Sequence, residues 1–416
     1  MKRFLVPLLV TGIIVSVVLA GCMPTAAPPT APPTAPPAAP PAAPPAAPPA
    51  APPAAPPAAP PAANPLIPWG EDFAVKPDGT PYSVNFAIVW LGDEWCQSAV
   101  GVGTSLLERA GAKVTSFDPN LDEAAQIGWL EDQFALTPPD VLILHPVSEA
   151  ALLPMAEKYE DAGIPVFNFD LVLPSTKVTC RVSHLFKDPE IGTGLAGKFF
   201  VDKAQELGKP LKVFFIWGIR GWQMCQDRFH GFTAITDQHP DLVTVVESAD
   251  SEWSPEIMAN LVTDAFTADP SLNAIFAMGG MPTGIVSALT AIGRLHPVGD
   301  PNHVIVLSHD LNPAAESAMK EGNIDATLDH MSWDLVQLID NFLFYYVVLH
   351  QPVPELHYEP MVVVTTENMD TLQIYGVDVD YCHYPWNEWD QWPVMDFSTL
   401  GYPPPTKAMR MQYAGY

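Results

Sequence analysis

Positive charge is scarce in this chain: 19 lysines and arginines face 47 aspartates and glutamates among 416 residues, a formal net charge of −28. So acidic a surface repels phosphate backbones and anionic lipid headgroups, which argues against nucleic acid and against peripheral membrane binding. The usual signatures of catalysis and metal capture are also missing. There is no Walker loop, no nucleophile elbow, no HExxH pair and no cysteine–histidine cluster with metal spacing. His145, His184, His230, His309 and His330 are scattered along the chain, so no metal site and no cofactor are expected. One fingerprint does occur, the dinucleotide spacing of Gly192-Thr193-Gly194-Leu195-Ala196-Gly197. No apolar strand runs directly into it, and no acidic residue ends the next strand, which leads into Gly218. Close helix packing by small residues accounts for it better.

Cysteine is rare as well, with five in all, and the first of them closes an amino-terminal address. Lys2 and Arg3, an apolar run from Phe4 to Val18 and then small residues describe a secretory signal, not a spanning helix. Leu19-Ala20-Gly21-Cys22 resembles the bacterial lipoprotein box. That resemblance implies a signal peptide over 1–21 and Cys22 as the site of lipid attachment; an ordinary signal with an incidental cysteine is the alternative. Residues 22–68 follow, almost wholly proline and alanine from Pro24 onward. They cannot bury a core and favour polyproline II at ~3.1 Å per residue, a stalk of up to roughly 140 Å. With Cys22 acylated, Cys96, Cys180, Cys225 and Cys382 remain in an oxidising compartment, which allows three full pairings or free thiols.

Beyond residue 69 strands and helices alternate. Asp140 to Asp170 is the plainest unit: Val-Leu-Ile-Leu-His, a helical segment containing Met155 to Asp161, then Ile164-Pro165-Val166-Phe167-Asn168-Phe169-Asp170. Two short apolar runs separated by one helix read as a βαβ unit of a parallel sheet. Asp170 then sits at the carboxyl end of its strand, the edge where open α/β sheets bind ligands, although a strand-tip carboxylate also serves as a cap or closes a turn. Further strands are expected near 84–91, 113–117, 177–183, 211–217, 242–247, 274–278, 303–307, 324–328 and 361–364. So many exceed one comfortable sheet, which predicts two α/β lobes, each a doubly wound parallel sheet.

Several short strings stand in a telling order: Gly92-Asp93-Glu94-Trp95, Asp118-Pro119-Asn120, Ala162-Gly163-Ile164-Pro165-Val166, Asp170, Arg228-Phe229-His230-Gly231-Phe232, Val306-Leu307-Ser308-His309-Asp310 and Gly322-Asn323-Ile324-Asp325-Ala326-Thr327. In that order, residues 83–370 resemble the type I periplasmic binding proteins, specifically the ribose/galactose group that serves ABC transporters. The resemblance implies two lobes joined by a hinge that the chain crosses three times. By analogy the first lobe holds 69–183 plus 330–350 and the second 184–329 plus 351–370, and the aromatic tail 371–416, with Trp386, Trp389 and Trp392, packs on the lobes.

A neutral sugar or polyol demands planar polar side chains that give and take hydrogen bonds, and aromatic rings for its C–H faces. The resemblance carries ligand roles onto Asp93, Trp95, Asp170, Arg228, Trp253, Asp310 and His330, each with a cap, an ion pair or core packing as its alternative. Leu171 stands where ribose-like binders have an arginine, and Gly279-Gly280 where they have an asparagine and an acid. Trp222, Trp90 or His330 can compensate. The expected function is therefore an extracytoplasmic, lipid-anchored, monomeric, non-enzymatic receptor that delivers a monosaccharide or polyol to an ABC permease. A sensory receptor for a sugar-like or autoinducer-like signal is the alternative, and an extracytoplasmic enzyme on the same scaffold a more distant one.

Overall fold

A computed structural model describes residues 70–378, 384 and 388–413. The expected signal, Cys22, the stalk, Cys382 and Trp386 lie outside the described residues.

The first lobe begins with β1 (Ser83–Ala87), α1 (Glu94–Arg109), β2 (Lys113–Phe117), α2 (Glu123–Leu136), β3 (Val141–Leu144), α3 (Glu149–Asp161), β4 (Val166–Phe169) and β5 (Cys180–His184). Every residue of β3, β4 and β5 is buried, as strands covered by helices on both faces require. The second lobe repeats the scheme with α4 (Gly194–Leu207), β6 (Leu211–Trp217), α5 (Gln223–Thr236), β7 (Val243–Asp250), α6 (Pro255–Ala268), β8 (Ala274–Ala277), α7 (Pro282–Ala291), β9 (Ile305–His309), α8 (Pro313–Lys320) and β10 (Ala326–Asp329). Then α9 (Ser332–Leu343) returns to pack on α1, and β11 (Leu356–Glu359) and β12 (Val362–Thr365) finish the two sheets.

Their strand orders are β11-β5-β4-β3-β1-β2 and β12-β10-β9-β8-β6-β7. All pairs are parallel except β12 on β10. The chain passes between the sheets after His184, after Asp329 and between Glu359 and Val362. One boundary differs from the sequence expectation, which gave 351–370 to the second lobe. Leu356–Glu359 pairs instead with Arg181–His184 of the first sheet. Once α9 has returned to the first lobe, the edge of β5 is the nearest unpaired ladder, and the chain fills it before crossing.

The carboxyl ends of the strands start the helices, and short polar side chains cap several of them. Asp93 accepts from the Cys96 amide at the start of α1, and Asn312 accepts from the Ala315 amide at the start of α8. Gly197, within the apparent dinucleotide fingerprint, lies at the α4–α5 contact, where a Cβ would come within 2.7 Å of the Phe232 carbonyl oxygen. The tail covers α9: Gln337 donates to Pro393 O at 2.9 Å and accepts from the Met395 amide, and Asn341 donates to Tyr402 O at 2.7 Å. Trp392, Met395 and Phe397 are buried beside it, and Trp389 lies against Gly101 of α1. Cys96, Cys180 and Cys225 are buried free thiols.

Candidate ligand-binding site

Residues just beyond the strands of both sheets converge on the gap between the lobes. Asp170 follows β4 and Asp310 follows β9, with φ of 61° and 64°. This left-handed backbone, which aspartate tolerates better than most residues, turns each carboxylate off the line of its strand. His145 follows β3 and His330 follows β10, while His184 and His309 are the last residues of β5 and β9. The scatter of histidines in sequence is therefore not a scatter in space. The His330 ring lies 5.2 Å from that of His184 and 4.6 Å from that of His309, centroid to centroid.

Two adjoining cavities occupy the gap. The first, about 420 Å³ with the solvent-open space at its entrance, is lined by Asp93, Glu94, Trp95, Trp253, Gly280 and Asp310, among others. The second, of about 390 Å³, shares Asp93, Trp95, Trp253 and Asp310 with it. It adds Trp90, His145, Asp170, Trp222, Arg228 and His330. Each side chain that the sequence picked out for ligand contact thus lines this one space. His145, His309, Cys96 and Met224 belong to the same surroundings and were not picked out.

A charge network fills the deep end. Arg228 Nη1 donates to Met278 O at 3.0 Å, and Nη2 lies 2.8 Å from His330 Nε2. A guanidinium only donates, so that ring nitrogen accepts, and His330 Nδ1 lies 2.7 Å from Asp310 Oδ1. His309 Nδ1 reaches the same oxygen at 2.8 Å. On the other lobe His145 Nε2 lies 3.2 Å from Asp170 Oδ2. Burial alone would raise both carboxyls. For Asp170 that cost is outweighed by His145, with His330 and Arg228 behind it, and the carboxyl is held down at about 2. His330 and His309 likewise hold Asp310 well below the carboxylate range. Burial, helped by Arg228, pushes His309 down to about 3, so it stays neutral.

Asp93 has no such help. Burial raises it to about 6, the Cys96 amide only partly opposes this, and Asp310 adds repulsion. His309, Asp310 and His330 bring ligand atoms within 4.8 Å of one another, a spacing a metal ion could use. Both Nδ1 atoms, however, converge on one Asp310 oxygen, and the Arg228 guanidinium beside His330 opposes a second cation.

The indoles explain the glycines that depart from the ribose-like pattern. Trp253, with φ of 58°, lies over Gly218 and Gly279: a Cβ on Gly218 would stand 2.0 Å from its ring, and one on Gly279 3.1 Å. Gly280 donates its amide to Asp310 Oδ2 at 3.1 Å, and a Cβ there would approach the Cβ of Asp310 to 2.8 Å. Leu171 is buried in the apolar core of the second lobe. Trp95 donates its indole N–H to His330 O at 2.7 Å and stacks on the His330 ring at 5.1 Å, joining the first lobe to the second hinge crossing.

The sequence pattern described as "Periplasmic binding protein domain" matches residues 84–339, which include every wall of this gap and both sheets except Ser83, β11 and β12. The chain belongs to that family. Its relatives include the ribose import binding protein RbsB of Salmonella typhimurium, 26% identical over 222 residues, or 53% of this chain and 70% of that protein. RbsB of Bacillus subtilis is 28% identical over 224 residues, covering 53% of this chain and 67% of that protein. Among solved structures, a galactofuranose binding protein superposes with a TM-score of 0.62 at 20% identity, covering 69% of this chain and 96% of its own. An ABC transporter solute binding protein from Agrobacterium vitis with bound D-fucose gives 0.62 at 20% identity, over 71% and 99%. At these identities the two structures share its fold. Periplasmic binding proteins are solute binders that work outside the cytoplasm.

Proposed function

We propose that this protein is an extracytoplasmic receptor that shuts its two lobes on a small hydroxylated molecule, a monosaccharide or polyol, and hands it to an ABC importer. The observation that carries this reading is the meeting of strand-tip acids, one guanidinium and four indoles from both lobes around one cavity. Such groups match a sugar's hydroxyls and its C–H faces. Asp170 Oδ1, Arg228 Nε and Trp253 Nε1 are buried without a hydrogen-bond partner among the described residues. Each unpaired group of this kind costs about 1–3 kcal/mol, which a ligand hydroxyl recovers. The relatives' names, ribose import among them, favour the same ligand class.

A ligand held from both sides stabilises the closed state by its differential affinity, and the permease reads that state. Lipid on Cys22 and the proline–alanine stalk keep a monomeric receptor near the membrane. The ligand leaves unchanged, and no residue is catalytic. The test is a thermal-shift screen with D-ribose, D-allose, D-fucose and glycerol. At least one should raise Tm, and that rise should vanish in Asp170→Ala and in Arg228→Ala. A rise that persists in both variants refutes the site.

A further inference from the structure

Charge is distributed unevenly along this gap. Arg228 is the only lysine or arginine among the residues lining its deep end, and it is already engaged with Met278 O and His330. Toward the mouth, a space of about 800 Å³ is lined by Asp93, Glu94, Glu252 and Glu256 with no lysine or arginine among its described residues. The adjoining cavity adds Asp310 to Asp93 and Glu94, again with no lysine or arginine. Asp93 sits where these spaces meet and pairs with no cationic side chain among the described residues. Its recorded partners are the amide and thiol of Cys96.

A second observation is independent of this acidity. Asp170 and Trp253, 5% and 8% exposed, line the same gap, and each keeps a buried polar atom without a hydrogen-bond partner. Both atoms are free to form a hydrogen bond with a ligand in the gap. Trp90, Trp95 and Trp253 line it beside Asp93, and indole faces attract cations.

The geometry points to a ligand that carries a basic amine as well as hydroxyls, an amino sugar or amino polyol, with its ammonium held at Asp93 among these indoles. This rests on the reading of the gap as a sugar site and narrows the ligand class within it. The hydroxyls face Asp170, Arg228 and His330 at the deep end; the ammonium faces Asp93, whose carboxylate pairs with no lysine, arginine or histidine among the described residues. An uncompensated, half-buried acid is unfavourable in the empty protein and becomes favourable once an ammonium pairs with it. The acids at the mouth draw in cations and repel anionic sugars such as sugar phosphates.

The test is titration calorimetry of the full chain at pH 7 with 2-amino-2-deoxy and 6-amino-6-deoxy hexoses, their hydroxyl parents and their N-acetyl derivatives. At least one amine should bind about tenfold or more tightly than its parent, and N-acetylation should abolish that gain. In Asp93→Asn the amine-to-parent ratio should fall close to one. Asparagine caps helices as well as aspartate does, and a melt without ligand checks that the variant is folded. Parents that bind as tightly as the amines would overturn this inference and leave sugar capture standing. An amine preference that survives in Asp93→Asn would overturn the role given to Asp93. If none of these hexoses binds and D-ribose and glycerol, titrated beside them, do not bind either, sugar capture itself fails; if D-ribose or glycerol binds and no amino hexose does, this inference alone is overturned.

Discussion

Trp253 and its neighbour Glu252 both have left-handed backbones, with φ of 58° and 52°. For a bulky side chain this conformation is strained, and strain of this kind persists where the surroundings enforce it, most often at functional sites. Here the enforcing contact is the indole laid on Gly218, where any Cβ would overlap the ring. Gly218→Ala should push Trp253 out of the gap and weaken sugar binding about tenfold, ~1.4 kcal/mol. Gly221→Ala, where a Cβ meets nothing within 4 Å, should leave the affinity unchanged. Calorimetry on the two variants checks the pair; equal affinities would remove Trp253 from the site. Asp170 was legible from sequence because strand-tip position and residue chemistry agree there, whereas Arg228, on α5, and Asp310 were placed by the motifs around them. His145, His184 and His309 were not picked out, because spacing along the chain hides them. One rule would have found them, since His145, His184, His309 and His330 all end or follow a strand, as Asp170 does.

At the scale of elements, α9 shows why an amphipathic pattern misleads when a later segment folds back. Every residue from Ser332 to Leu343 is buried, including Gln337 and Asn341, which would otherwise form a solvated face. Both bond to backbone atoms of the tail, far along the chain, so no local pattern announces that cover. Asp340 on the same helix is 0% exposed, and neither carboxyl oxygen has a hydrogen-bond partner among the described residues. Burial pushes its pKa well above the carboxylate range. In the unfolded chain the group ionises near ~3.9, whereas in the fold it keeps its proton. The unfolded state thus binds fewer protons, and stability falls as pH rises above that value, by up to ~1.4 kcal/mol per pH unit. Asp340→Asn should remove this slope and stabilise the protein at pH 7 by on the order of 2 kcal/mol. Urea melts at pH 5 and pH 7 measure it: the gap between variant and parent should widen with pH, and a constant gap would contradict the account. The edge strand β11 was missed in the sequence for a related reason. Its four residues, half of them exposed, follow Pro352 and Pro354, and Leu-His-Tyr-Glu is too short an alternation to mark a strand.

For the whole molecule, the two-lobed plan was legible because strand–helix alternation and the order of short motifs agree over most of the chain. The lobe boundary at 351–360 was not, because pairing across the hinge is decided by which sheet edge lies open. Three crossings close together let the lobes hinge as bodies, and a site split between them couples ligand to closure. Trp95 stands on the first lobe and Arg228 on the second. Titration calorimetry of the best sugar or amino sugar against Trp95→Ala and Arg228→Ala, one variant from each side, tests this most directly. The account predicts that each substitution alone weakens binding at least about thirtyfold, ~2 kcal/mol. Either variant binding as tightly as the parent would mean that one lobe holds the ligand by itself.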